Sequence, residues 1–188
     1  MKKPPKDPNY KTVSHDIVYI DEERHDLIYY IDFQNIEGDD VSNIIIEDFF
    51  DFEYLEKNNV KIISSSHPCE KKWVEDKLLF IFDDIKLPSA KTLEGNSNVD
   101  ESKGFVTYSA SIKEPYIAET IISNKANIKF YHHLKGDIPI EVIPTNKVTT
   151  KIKYYKCIYS EKIINKITLI LSVIILLLII CIIKLRMT

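Results

Sequence analysis

His132 and His133 are adjacent, and imidazole binds metals and moves protons near neutral pH. Their placement works against both roles. They follow the alternating run TIISNKANIKFY (120–131), and neighbours on a strand point to opposite faces, so the pair is not expected to grip one metal. Asp83-Asp84 meets the same objection, and Asp39-Asp40 reads more simply as the turn EGDD (37–40). Asp48, Asp51 and Glu53 have the look of an oxygen-rich calcium loop but lack its glycine and spacing. Ser64-Ser65-Ser66-His67 sets hydroxyls beside an imidazole without the glycines of a nucleophile elbow. No Gly-rich loop is present to cradle a phosphate. The expectation is a protein that is not an enzyme, with no catalytic residue, no cofactor and no metal ligand.

The elements that carry these residues are short apolar runs between turn signals. DIVYI (16–20), HDLIYYIDFQNI (25–36), VSNIIIEDFF (41–50), VKIISSSH (60–67) and KLLFIFDDIKL (77–87) read as strands. GFVTYSASI (104–112), 120–131 and IEVIPTNKVTTKIKYY (140–155) follow them. Leu27, Tyr29, Ile31 and Phe33 share one face of their strand. Seven or eight strands with no amphipathic helix between them predict an all-β fold, antiparallel and folded as a two-sheet sandwich. Trp73 is expected in the core. Gly104 is expected to supply a positive φ or a bulge, and Asn35, Asn124 and Asn127 to cap backbone groups at strand ends. The segment 1–14 is a polar, Pro-rich lead-in with no core pattern, followed by the sandwich over 15–150.

Charge is unevenly spread. The net charge of −3 combines −10 over residues 1–146 with +5 over 147–166 and two basic residues beyond. An acidic body repels nucleic acid, so no nucleic-acid partner is expected. The Lys-rich stalk 151–166 suits anionic headgroups beside a membrane, and reads equally well as a solvated linker. Cys69 and Cys157 are not expected to pair, and Cys181 lies in the closing apolar stretch.

That stretch, Ile167 to Ile183, carries no charge, and 14 of its 17 residues are Ile, Leu or Val. As a helix it reaches about 25 Å, near the short limit for a bilayer core of about 30 Å. Lys166 and Lys184 can snorkel to the two interfaces. Fourteen such residues favour insertion by roughly 4–8 kcal/mol. A C-terminal transmembrane α-helix over 167–183 with a short basic tail at 184–188 is therefore expected, its partner the lipid bilayer. Six lysines precede the span within twenty residues and two basic residues follow it. A literal positive-inside count puts the body in the cytoplasm.

Seven pieces occur in order: DPNYK (7–11), YIDFQN (30–35), SSHP (65–68), FDDIKLPS (82–89), ESKGFVTYSASI (101–112), ISNKANIKF (122–130) and PTN (144–146). Together they resemble a domain-of-unknown-function family with an immunoglobulin-like (Ig-like) β-sandwich. That family lies near the C-terminus of large secreted and surface proteins of Bacteroidota, often before a secretion-sorting signal. The sequence departs from the family pattern at Ile36-Glu37-Gly38, at Ser89 and at Tyr131-His132-His133. The resemblance implies no catalytic residue. It implies an Ig-like antiparallel β-sandwich outside the cytoplasm, a fragment of a larger exported protein, serving display, adhesion or assembly at the cell envelope. Its partner would be an envelope protein or polysaccharide. The competing expectation is a tail-anchored cytoplasmic adaptor whose acidic domain recruits a soluble partner.

Overall fold

The computed structural model describes residues 9–20, 25–93, 99–132, 138–154, 166–175 and 182. The chain divides into two units, Met1–Lys153 and Tyr154–Thr188. In the first, twelve strands are described: β1 (Tyr10–Val13), β2 (Ile17–Ile20), β3 (Asp26–Gln34), β4 (Asn43–Asp48), β5 (Lys61–Ser65), β6 (Glu70–Val74), β7 (Lys77–Phe82), β8 (Lys103–Ser111), β9 (Ile121–Asn124), β10 (Ala126–Tyr131), β11 (Glu141–Pro144) and β12 (Val148–Tyr154). They form a four-stranded sheet in the order β1-β3-β8-β5, a five-stranded sheet β11-β10-β4-β7-β6 and a three-stranded sheet β2-β12-β9. The strand pairings with a described register are all antiparallel.

Period-two alternation explains which side chains are inside. β3 buries Leu27, Tyr29, Ile31 and Phe33, the face read from sequence, and β8 buries Val106, Tyr108 and Ala110. From the five-stranded sheet, β4 contributes Ile44 and Ile46, β7 Leu78, Phe80 and Phe82, and β10 Ala126, Ile128 and Phe130. The two inner faces interlock through aromatic rings. Phe33 meets Phe82 edge-on at 5.1 Å, and Phe80 packs on Tyr108 at 4.9 Å. This is the sandwich expected from the alternation.

The observed strands differ from the expected ones at four places. β1 forms inside the segment 1–14, and β6 lies between the expected strands 60–67 and 77–87. The expected strand 120–131 divides at Lys125, and 140–155 divides between Pro144 and Val148. Asn146 explains the second break. Its Oδ1 accepts from the Lys11 backbone N–H at 2.8 Å, and its Nδ2 donates to the Lys11 carbonyl at 3.0 Å. One side-chain amide thus takes both backbone groups that an edge strand leaves open.

Gly104 does not adopt a positive φ, contrary to expectation. It faces Phe33 directly across the β3–β8 ladder, and the Phe33 ring occupies the space a Cβ would need. The Ser66 hydroxyl lies 2.9 Å from that same space. The bulge in this sheet lies on β5 instead, between Ile62 and Ser64. Asn35 caps backbone as expected, donating to the carbonyls of Asp39 and Leu87, each at 3.1 Å. Trp73 is half-buried at the margin of the core, against Phe50 and Phe52 at 5.0 and 5.3 Å, with the Lys57 ammonium over its ring.

In the second unit, residues 166–175 are helical. No helix among the described residues is long and apolar enough to cross a membrane. Of the expected span 167–183, residues 176–181 and 183 lie outside the described residues. Cys157 and most of the stalk 151–166 do so as well.

Gly104→Ala is expected to lower stability by about 1–3 kcal/mol, because the new methyl must displace the Phe33 ring. The second change Phe33→Leu, which shortens that ring, is expected to recover part of the loss. Denaturant midpoints of the two variants check both statements.

Candidate functional site

Four inward positions that alternation would reserve for apolar side chains hold polar ones. Asp48 continues the buried face of Ile44 and Ile46 on β4, and Asn124 follows Ile122 on β9. Lys11 is the inward residue of β1, and Tyr108 lies mid-strand on β8. All four are at least 98% buried. They come from three different sheets and converge on one point.

The Lys11 ammonium is at the centre. It forms an ion pair with Asp48 Oδ2 and donates to Asn124 Oδ1 at 2.8 Å and to the Tyr108 hydroxyl at 3.0 Å. The Tyr108 hydroxyl donates to Asp48 Oδ2 at 2.8 Å, and Asn124 Nδ2 donates to that hydroxyl at 3.3 Å. The rings of Tyr29 and Tyr108 stack at 5.1 Å, and Lys11 Nζ lies 4.7 and 5.2 Å from their centroids. Aromatic faces thus supply part of what water would have given the cation. Asp48 Oδ1 is the exception: it is buried and has no hydrogen-bond partner among the described residues.

Burial dominates the electrostatics. It pulls the Lys11 ammonium below the usual lysine range, against the charge and hydrogen bond of Asp48, which favour the protonated form. Burial also pushes the Tyr108 and Tyr29 hydroxyls well up, with the Asp48 charge adding to it. The cluster therefore holds an amine whose protonated form burial disfavours, beside a carboxylate and a carboxamide, all shielded from water.

The residues singled out in the sequence do other things. Asp48 is spent on Lys11, so it does not join Asp51 and Glu53 in a calcium loop; no metal-holding group of three is found among the described residues. His132 Nδ1 donates to the Asp40 carbonyl at 3.1 Å, in an open depression with Asp39, Ser42 and Thr92. His133 lies outside the described residues. Ser66 Oγ sits 2.9 Å from His67 Nδ1, but the same oxygen accepts from the Phe105 N–H at 2.8 Å, a backbone-fastening role. Asn124 turns inward to Lys11 and Tyr108, where a strand-end cap had been expected. Burial pushes the Cys69 thiol up to about 12, so it is held as an unreactive thiol at neutral pH.

The signals for the cluster were present in the sequence. Lys11 ends DPNYK, Asn124 sits in ISNKANIKF, Tyr108 in ESKGFVTYSASI, and Asn146, which clasps the Lys11 backbone, ends PTN. Four of the pieces that carry the family resemblance thus meet in space.

Removing one partner leaves the others buried and uncompensated. Asp48→Ala is expected to destabilise the sandwich by about 3–5 kcal/mol. Tyr108→Phe, which deletes one donor to a charged group, is expected to cost about 1.5–3 kcal/mol. Both are read from denaturant midpoints against wild type.

A comparison with curated proteins finds no significant match. Among solved structures, the N-terminal domain of the Streptococcus gordonii adhesin Sgo0707 has a TM-score of 0.52 and 17% identity. The alignment covers 78% of this chain and 33% of that one, so this chain spans about a third of the adhesin chain's length. The collagen-binding subdomain ACE19 of the Enterococcus faecalis surface protein ACE gives a TM-score of 0.43 and 13% identity, covering 80% of this chain and 99% of that one. The major pilin SpaA of Corynebacterium diphtheriae gives 0.45 and 12%, covering 77% and 38%. The likeness to the streptococcal domain shows a shared fold. A family profile described as a domain of unknown function, DUF7619, matches residues 7–151, most of the chain, and the protein belongs to that family.

Proposed function

We propose that this chain is a non-enzymatic β-sandwich module held at the bacterial cell envelope by a membrane-spanning helix over Ile167–Ile183, and that it serves display, adhesion or assembly there. The observation that carries the reading is the helix at 166–175. Ile167, Leu169, Ile170, Leu171, Val173, Ile174 and Ile175 are all exposed, and at 3.6 residues per turn they cover the helix except for one narrow strip at Thr168 and Ser172, where the Ser172 hydroxyl donates to the Leu169 carbonyl at 2.7 Å. A helix this apolar belongs in a large core or in lipid. The adhesin whose N-terminal domain shares the fold supports the surface role.

The sheet edges indicate how such a module would meet an envelope partner. β6 carries exposed Lys71 and Lys72, and β11 ends at Pro144, both features that discourage strand addition. The backbone of β1 at Lys11 is taken by Asn146. β5 is the remaining edge of the two larger sheets, and its Ile63 is exposed. An extended segment of an envelope protein would pair along β5.

A second reading rests on the lysines. Six before the span against two basic residues after it favour a tail-anchored cytoplasmic adaptor by the positive-inside count. Protease added to intact spheroplasts, with an epitope tag at residue 1, separates the two. The envelope reading expects the tagged body to be digested from outside. A body that survives until the membrane is opened overturns it in favour of the adaptor.

A further inference from the structure

We infer that the folded core joins Lys11 to Asn124 covalently, through an amide bond between Lys11 Nζ and Asn124 Cγ formed with release of ammonia. Lys11 Nζ lies 2.8 Å from Asn124 Oδ1, so the amine is already against the carbonyl group it would attack. An amine and a carboxamide do not react when free in water. Here both are fixed and buried, and holding two reactants in contact replaces an encounter with an effective concentration of about 10⁵–10⁸ M for well-oriented pairs. Burial also lowers the proton affinity of Lys11, which exposes the lone pair needed for attack.

Asp48 supplies the proton transfers. Its Oδ2 touches the Lys11 ammonium and takes one proton from it, leaving a neutral amine. The Nζ lone pair then adds to Cγ, and the carbonyl π pair moves onto Oδ1. A second Nζ proton passes to Asn124 Nδ2 by way of Asp48 and the Tyr108 hydroxyl, which bridges Asp48 Oδ2 and Nδ2 at 2.8 and 3.3 Å. The pair on Oδ1 re-forms the carbonyl, the Cγ–Nδ2 bond breaks, and ammonia leaves. Of the three protons on Nζ, one remains on the new amide, one departs with ammonia, and one stays on Asp48. No oxidant, metal or cofactor enters the balance.

The product also removes an electrostatic burden. A desolvated ion pair becomes an uncharged amide beside a neutral carboxylic acid. Asp48 Oδ1, the one unpartnered buried oxygen of the cluster, is then free to carry the proton. Asp48 is the catalytic residue in this scheme, and Tyr108 relays the proton. The bond would tie the first described strand to β9 across 113 residues of sequence, so that tension on the N-terminal side is borne by covalent bonds rather than by the β1–β3 ladder. The inference does not depend on where the module is displayed, since the mass of the chain is the same on either side of a membrane.

Intact mass spectrometry of the purified full chain tests it. The expected mass is below the sequence mass by one ammonia, and a tryptic digest should contain a branched peptide joining the Lys11 segment to the Asn124 segment, uncut at Lys11. A mass equal to the sequence sum overturns the inference. An ammonia deficit without the branched peptide overturns it too, because the loss then belongs to another residue. Asp48→Asn, close to wild type in shape, tests the carboxylate's part: the variant should keep the β-sheet circular dichroism of wild type and show no mass deficit. A branched peptide in that variant would remove Asp48 from the scheme.

Discussion

Lys11 and Asp48 meet where three sheets converge, and neither has water to solvate it. Moving either ion alone into such a place costs several kcal/mol, and their mutual attraction repays this only when the surrounding donors and acceptors are in position. The neighbouring groups follow from that demand. Tyr108 donates to the carboxylate, Asn124 accepts from the ammonium, and the Tyr29 and Tyr108 rings flank the cation. Asn146 fixes the Lys11 backbone from both sides, so the short strand β1 is held by more than its ladder to β3. The apolar core can be rebuilt from many combinations of side chains of suitable volume, whereas each polar group of this cluster needs a partner in place.

That arrangement gives the cluster a character different from an ordinary structural ion pair. Beyond the ion pair itself, a carboxamide carbonyl faces the amine, and a tyrosine links the carboxylate to the amide nitrogen. Those additions are what an amine-to-amide exchange needs: a nucleophile, an electrophile, a base, and a path for the departing nitrogen's proton. Chemistry of this kind acts on the chain itself, which suits a module whose proposed work is to hold position at a surface.

How far the sequence could be read depended on which physical signal marked each element. Alternation was strongest on β3 and β8, where Leu27 to Phe33 and Val106 to Ala110 enter the core every second residue. The sandwich followed from those strands and their turns. β1 was invisible for a specific reason: its one buried residue is a lysine in a polar, Pro-rich segment, and hydropathy cannot separate a buried paired charge from an exposed one. Asp48 and Asn124 were in phase with buried isoleucines on their own strands, yet acids and amides at strand ends are ordinarily solvated or capping. The type of Gly104 suggests freedom of φ, whereas its role is to leave room for the ring of Phe33, a contact that only the β3–β8 register reveals. The partners of Lys11 lie 37, 97 and 113 residues away, and no local window brings them together.

The most direct test of this account is a crystal structure of the full chain at a resolution that separates bonded from non-bonded atoms. The account predicts Lys11 inside the sandwich, in contact with Asp48, with continuous density from its Nζ to Asn124 Cγ at an amide length of about 1.33 Å. A Lys11 side chain lying in solvent, or an intact Asn124 carboxamide at van der Waals distance from a free amine, would contradict it.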